Sequence, residues 1–107
     1  MPRLPKAARD LLSDNGLKEK DMRVLAVLDG HWKTPGQIGE EAGMGMRAVG
    51  ACLARLVVVQ PAVVSVQFAG WKAKNRGNMM EGKYEYRIRV VGTRLLALFE
   101  QTRTEAT

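Results

Sequence analysis

Cysteine and histidine occur once each in this chain of 107 residues, and that scarcity removes most chemistry from consideration. With Cys52 alone no intramolecular disulfide can form, and its place inside an apolar pattern marks a small buried residue suited to a reducing cytoplasm. His31 stands far from it in the chain, so neither a metal cluster nor a Cys–His nucleophile is suggested. Glu40 and Glu41 are neighbours on a predicted helix and diverge, which suits a solvated face better than an acid–base couple. Gly43-Met44-Gly45 followed by Gly50 misses the spacing of a dinucleotide loop and has no strand before it. No enzyme, metal or cofactor is expected, and no feature marks a small-molecule effector pocket. No apolar run approaches the length of a membrane span. The leading MPRLPKAARDLL is basic without the apolar block of a secretory signal. A cytoplasmic address with no membrane partner is therefore expected.

What is abundant is positive charge. The net charge is +6, which favours an anionic partner such as nucleic acid. The excess is concentrated: Gly70 to Arg89 holds six basic residues (Lys72, Lys74, Arg76, Lys83, Arg87, Arg89) against two acidic ones, Glu81 and Glu85. The hydrophobic share of 46% and charged share of 26% are ordinary for one folded domain with a modest core.

The most informative stretch is TPGQIGEEAGMGMRAVGACLARL, Thr34 to Leu56. Thr34 can cap a helix, Pro35 suits the first helical position, and Gln37 stands where a capping-box side chain belongs. Ile38 and Ala42 share a face, while Gly36 and Gly39 admit a close backbone neighbour. Gly43 and Gly45 allow positive φ on either side of Met44. Met46, Val49, Leu53 and Leu56 then recur at helical spacing and should face the core. Arg47, Gly50, Ala51, Ala54 and Arg55 fall on the outer side. Two short helices around a glycine turn, the second with an apolar face and a small, basic face, have the layout of a helix-turn-helix.

The flanks complete an α+β pattern. Leu4, Ala8, Leu11 and Leu12 suit a first helix or arm, stopped by Ser13-Asp14-Asn15-Gly16. Leu17 to Leu28 reads as the next helix, with Gly30 at its C-terminal cap. Trp32, in the bridge His31-Trp32-Lys33, reads as a packing anchor. Pro61 marks a boundary. Val64, Val66 and Phe68 alternate with polar residues, as do Tyr84, Tyr86, Ile88 and Val90, giving two half-buried strands. The glycine-rich GWKAKNRGNMMEGK between them makes a long basic hairpin tip. Thr93 to Gln101 suits a closing helix, and the tail TRTEAT is polar.

The order helix, helix, turn, helix, hairpin, helix resembles a winged helix. The Thr34 to Leu56 segment and YRIRVVGTRLLAL resemble transcription regulators of the MarR, PadR and ArsR style over about Leu17 to Gln101. The resemblance implies a winged helix-turn-helix, mostly helical with a two- or three-stranded antiparallel β wing. It divides the chain into an N-terminal arm or helix (1–16), a DNA-binding domain (17–101) and a flexible tail (102–107). It implies Met46 to Leu56 as a recognition helix, with Thr34, Arg47, Gly50, Ala51, Ala54 and Arg55 at the duplex and Lys72, Lys74, Arg76 and Lys83 in the wing. Double-stranded DNA as partner, a transcriptional role and a homodimer follow by the same resemblance. The Leu4 to Leu12 arm and the Leu95 to Phe99 helix are the candidates for joining subunits. Three departures stand out. Gly45, Met46 and Ala48 replace polar residues near the start of the recognition helix, Val57-Val58-Val59-Gln60-Pro61 replaces a charged link, and Arg89 replaces a threonine before the last helix. An alternative is a protein-interaction winged helix that uses the apolar residues Met44, Met46, Ala48, Ala51 and Val57 to Val59. RNA is a weaker option, because the wing carries one tryptophan and no repeated aromatic platform.

Overall fold

Five helices and one antiparallel hairpin make an α+β fold in the order α1 (Lys6–Asp14), α2 (Glu19–Val27), α3 (Pro35–Ala42), α4 (Met46–Leu56), β1 (Val64–Ala73), β2 (Met80–Ile88) and α5 (Val90–Thr104). The structure, a computed structural model, describes residues 4–73 and 80–104. No helix among them is long and apolar enough to cross a membrane.

The core follows from the apolar spacing. Met22, Val24 and Leu25 of α2 meet Ile38 of α3, the α4 stripe Val49, Cys52, Leu53 and Leu56, and Phe99 of α5, all buried. The chain enters α2 through Asp21, whose carboxylate accepts the Lys18 N–H at 2.8 Å. Thr34 and Gln37 form the reciprocal cap of α3: the Gln37 N–H donates to the Thr34 hydroxyl at 3.2 Å, and the Thr34 N–H donates to Gln37 Oε1 at 2.9 Å. Gly43, at φ +67°, ends α3 in the left-handed region. Gly45 needs no such freedom, with φ −72°, so only one of the two glycines around Met44 turns the chain.

Close backbone approach explains Gly39 but not Gly36. A Cβ on Gly39 would lie 2.8 Å from the Met44 carbonyl oxygen, whereas one on Gly36 would meet only its own cap hydroxyl at 3.8 Å. Gly92 is tighter still, with the Val63 carbonyl oxygen 2.2 Å from where a Cβ would stand. That approach seats α5 on the start of β1, and the Arg89 N–H donates to the same carbonyl at 2.9 Å.

The strands extend further into the glycine-rich segment than its composition suggests. Pairing runs from Val64 opposite Ile88 to Phe68 opposite Tyr84, shifts, and resumes from Trp71 opposite Gly82 to Ala73 opposite Met80. A bulge absorbs the glycine, so the ladder continues beyond it. At the base, Lys33 forms an isolated bridge with Tyr86, each N–H donating to the other's carbonyl at 2.9 Å. The bridge before α3 is thus one residue short of being a third strand. The apolar face of the strands is half-buried only near the body: Val64 is buried, but Val66 and Phe68 are 44% and 50% exposed.

The segment expected as an arm or helix is helical over Lys6–Asp14 and buries Ala8 and Leu12. Leu4, Leu11, Leu95 and Leu96 pack against the same core. The leucines expected to join subunits therefore hold α1 and α5 together in one chain. Helix α5 starts at Val90, ahead of the expected Thr93, because the Thr93 N–H already donates to Arg89 O at 3.0 Å.

Candidate nucleic-acid interface

Helix α4 divides cleanly into a buried and an exposed side. Burial of Val49, Cys52, Leu53 and Leu56 leaves Arg47, Gly50, Ala51 and Ala54 exposed on the other side. A Cβ added at Gly50 meets nothing within 4 Å, so the middle of this face is open. The Arg47 guanidinium is exposed and has no hydrogen-bond or ion-pair partner among the described residues.

Arg55 departs from the expectation. Its Nε donates to Asp21 Oδ2 at 2.7 Å, with 29% of its side chain exposed and Asp21 fully buried. The residue sits at the edge of the exposed face, where α4 crosses α2, and the buried carboxylate claims it. Burial pushes the Asp21 carboxyl upward, but hydrogen bonds from Arg55 and from the Lys18 N–H, with the neighbouring Cys52 thiol, hold it below its ordinary value. Burial and then the Asp21 carboxylate push the Cys52 thiol up to about 11, so it stays neutral and packs as a small apolar residue. Met46 is the second correction. It was expected in the core and is 58% exposed, because as the first residue of α4 it lines an open cleft towards the start of α3 and strand β2.

Two clefts flank α4. One, of about 610 Å³, lies between the starts of α3 and α4 and strand β2, lined by Thr34, Pro35, Gly36, Met46, Gly82, Lys83, Tyr84 and Tyr86. The other, of about 480 Å³, is lined by Lys18, Glu19, Lys20, Ala48, Ala51 and Arg55. Thr34 borders the first cleft, but its hydroxyl is committed to the α3 cap. Because Pro35 has no N–H and Thr34 takes that of Gln37, the Gly36 amide in this first turn has no acceptor among the described residues.

Lys18, Lys20 and Lys83 are exposed and unpaired among the described residues. Lys18 and Lys20 are missed by sequence reasoning. They look like ordinary charges at a helix start, and only the crossing of α2 over α4 brings them beside Ala48 and Ala51. Lys74 and Arg76 lie outside the described residues, as does Asn75. Of Lys72 only the backbone, in β1 opposite Glu81, is described.

The hairpin base is anchored by Lys33. Its ammonium donates to Val27 O at 2.6 Å and Glu41 Oε1 at 2.8 Å and lies 3.5 Å from Asp29 Oδ2. The Glu41 hydrogen bond chiefly raises its pKa, so the charge is secure. Trp32 is half-buried, with the Arg87 guanidinium 4.5 Å above its ring, an anchor held by a cation as well as by packing. Among the described residues no group of three or more His, Cys, Asp or Glu could hold a metal ion. Compared with known proteins, the chain matches no family model, no curated protein and no solved structure.

Proposed function

We propose that the chain is a winged helix that binds double-stranded DNA, lays the exposed face of α4 in the major groove, and acts as a transcriptional regulator. The observation that carries this reading is the open face Arg47, Gly50, Ala51 and Ala54, flanked by the free cations Lys18 and Lys20 on one side and Lys83 on the other. Small side chains let a helix backbone sit close to base edges. Ala51 or Ala54 suits a thymine methyl, and Arg47 suits a guanine edge, worth about 1–3 kcal/mol of discrimination. The free Gly36 amide at the positive end of α3 borders the same cleft as Lys83, a pairing suited to a phosphate. A single buried thiol fits a reducing cytoplasm. A homodimer would present two such faces to half-sites about one helical turn apart.

The exposed apolar residues Met46 and Val58, at 58% and 71%, favour a second reading as a protein-interaction module. Selection of bound fragments from a random duplex pool separates the two. The DNA reading predicts enrichment of a sequence, with Arg47→Ala relaxing preference at one base pair more than it weakens nonspecific binding. No enrichment, with no shift of random duplex at low salt, would favour the protein partner.

A further inference from the structure

Large aromatic side chains seldom gather in solvent without a use. Phe68, Trp71 and Tyr84 are 50%, 63% and 46% exposed, yet they touch one another. The Phe68 ring meets Trp71 edge-on at 5.1 Å between centroids and Tyr84 at 5.7 Å.

Two backbone devices build this cluster. In an unbroken strand Phe68 and Trp71 would point to opposite faces, because they are an odd number of residues apart. The bulge between them, with Gly70 at φ +106°, returns Trp71 to the face of Phe68. Opposite Trp71 stands Gly82, where a Cβ would lie 3.2 Å from the Tyr84 ring and 3.4 Å from that of Phe68. Any side chain at Gly82 would crowd the rings.

The hairpin that carries the cluster is basic in sequence. The segment Gly70 to Arg89 has six basic residues to two acidic. Lys83, between Gly82 and Tyr84 in β2 and so on the strand's other face, is exposed and unpaired among the described residues. Exposed rings on a basic hairpin suit nucleotides, whose bases stack while their phosphates meet charge carried by the same hairpin. Bases within a duplex offer only their edges, so stacking on these rings requires unpaired ones.

We propose that the Phe68–Trp71–Tyr84 face is a stacking platform for unpaired nucleotides. It goes beyond the duplex reading and does not depend on it. The cluster also removes the reason for setting single strands aside, since three rings scattered in sequence meet on one face.

The test compares a blunt duplex of about two helical turns with the same duplex carrying a single-stranded tail of about 10 nucleotides. Oligothymidine and oligouridine of the tail's length are titrated separately. The tail should tighten binding about 10-fold or more, the effect of one to two stacked bases. Single strands should quench Trp71 emission in a Trp32→Phe background. The double variant Phe68→Ala, Trp71→Ala should lose the tail's advantage and keep its affinity for the blunt duplex, while Trp71→Phe, which retains a ring, should keep both. Quenching by either oligonucleotide supports the platform, and the stronger one identifies DNA or RNA as its source. Quenching without blunt-duplex binding would keep the platform and remove the duplex reading. A tail without advantage, together with unquenched Trp71, would overturn the proposal. So would self-association that changes Trp71 emission without any oligonucleotide and disappears in the double variant, since the face would then join two copies of the chain.

Discussion

Gly50 and Gly92 lack the same atom for opposite reasons, and substitution distinguishes them. At Gly92 a Cβ would stand 2.2 Å from the Val63 carbonyl oxygen, so Gly92→Ala must push α5 off β1. Overpacking usually costs 1–3 kcal/mol, and a backbone obstacle puts this case at about 3 kcal/mol. At Gly50 the space is empty. Gly50→Ala should stabilise the helix by about 0.5–1 kcal/mol, raising Tm by a few degrees, while Gly50→Leu should weaken duplex binding without loss of fold. Thermal melts and duplex titrations check both. A Gly50→Leu protein that binds duplex as tightly as the parent would place Gly50 away from the groove. Asp21 makes a second residue-scale prediction. Its folded pKa lies below the ordinary value, so the native state holds fewer protons than the unfolded chain. The stability this supplies is present above the unfolded pKa of about 3.9 and is lost as pH falls through the lower folded value. Acid titration of stability should show this loss, and Asp21→Asn should flatten it. Arg55→Ala should cost about 3 kcal/mol at neutral pH, the low end for breaking a buried pair because Arg55 is partly solvated.

At the scale of elements, Lys33 joins α2, α3 and the hairpin. Lys33→Met should leave the Val27 carbonyl and Glu41 without their donor and cost about 1–3 kcal/mol. Hydrogen exchange at the Tyr86 amide, which bonds to Lys33 O, should accelerate in that variant, and unchanged protection would mean that the backbone bridge suffices alone. The elements themselves are legible in the sequence where a local rule governs them. Thr34, Pro35 and Gln37 mark the start of α3, Gly43 marks its end, and alternation around Val64 and Tyr84 marks the strands. What is hidden depends on partners distant in sequence. Lys33 reads as linker because its bridge to Tyr86 lies far along the chain. Arg55 reads as an outer-face cation because the carboxylate that claims it belongs to α2. The stretch from Gly70 reads as loop because glycine usually ends a strand, whereas a bulge lets pairing resume.

For the whole molecule, charge decides what the fold can meet. Several cations are spent internally: Lys33, Arg55 and Arg87 on holding elements together, and Arg23 on the Ala42 carbonyl at 3.0 Å. Among the described residues Lys18, Lys20, Arg47, Lys83, Arg89 and Arg94 are exposed and unpaired, and the first four surround or lie on one helix. The outer side of α4 and Lys83 are legible in the sequence, and Lys18 and Lys20 are not, because α2 reaches this face only through the fold. The most direct measurement is duplex affinity as a function of salt for the parent chain and for a variant with Lys18, Lys20, Arg47 and Lys83 all changed to Gln. If these four meet phosphate or base edges, the parent binds at low salt and the variant's slope of log affinity against log salt is shallower by about 3. Equal slopes, or a parent chain that leaves duplex DNA unbound at low salt, would contradict the account.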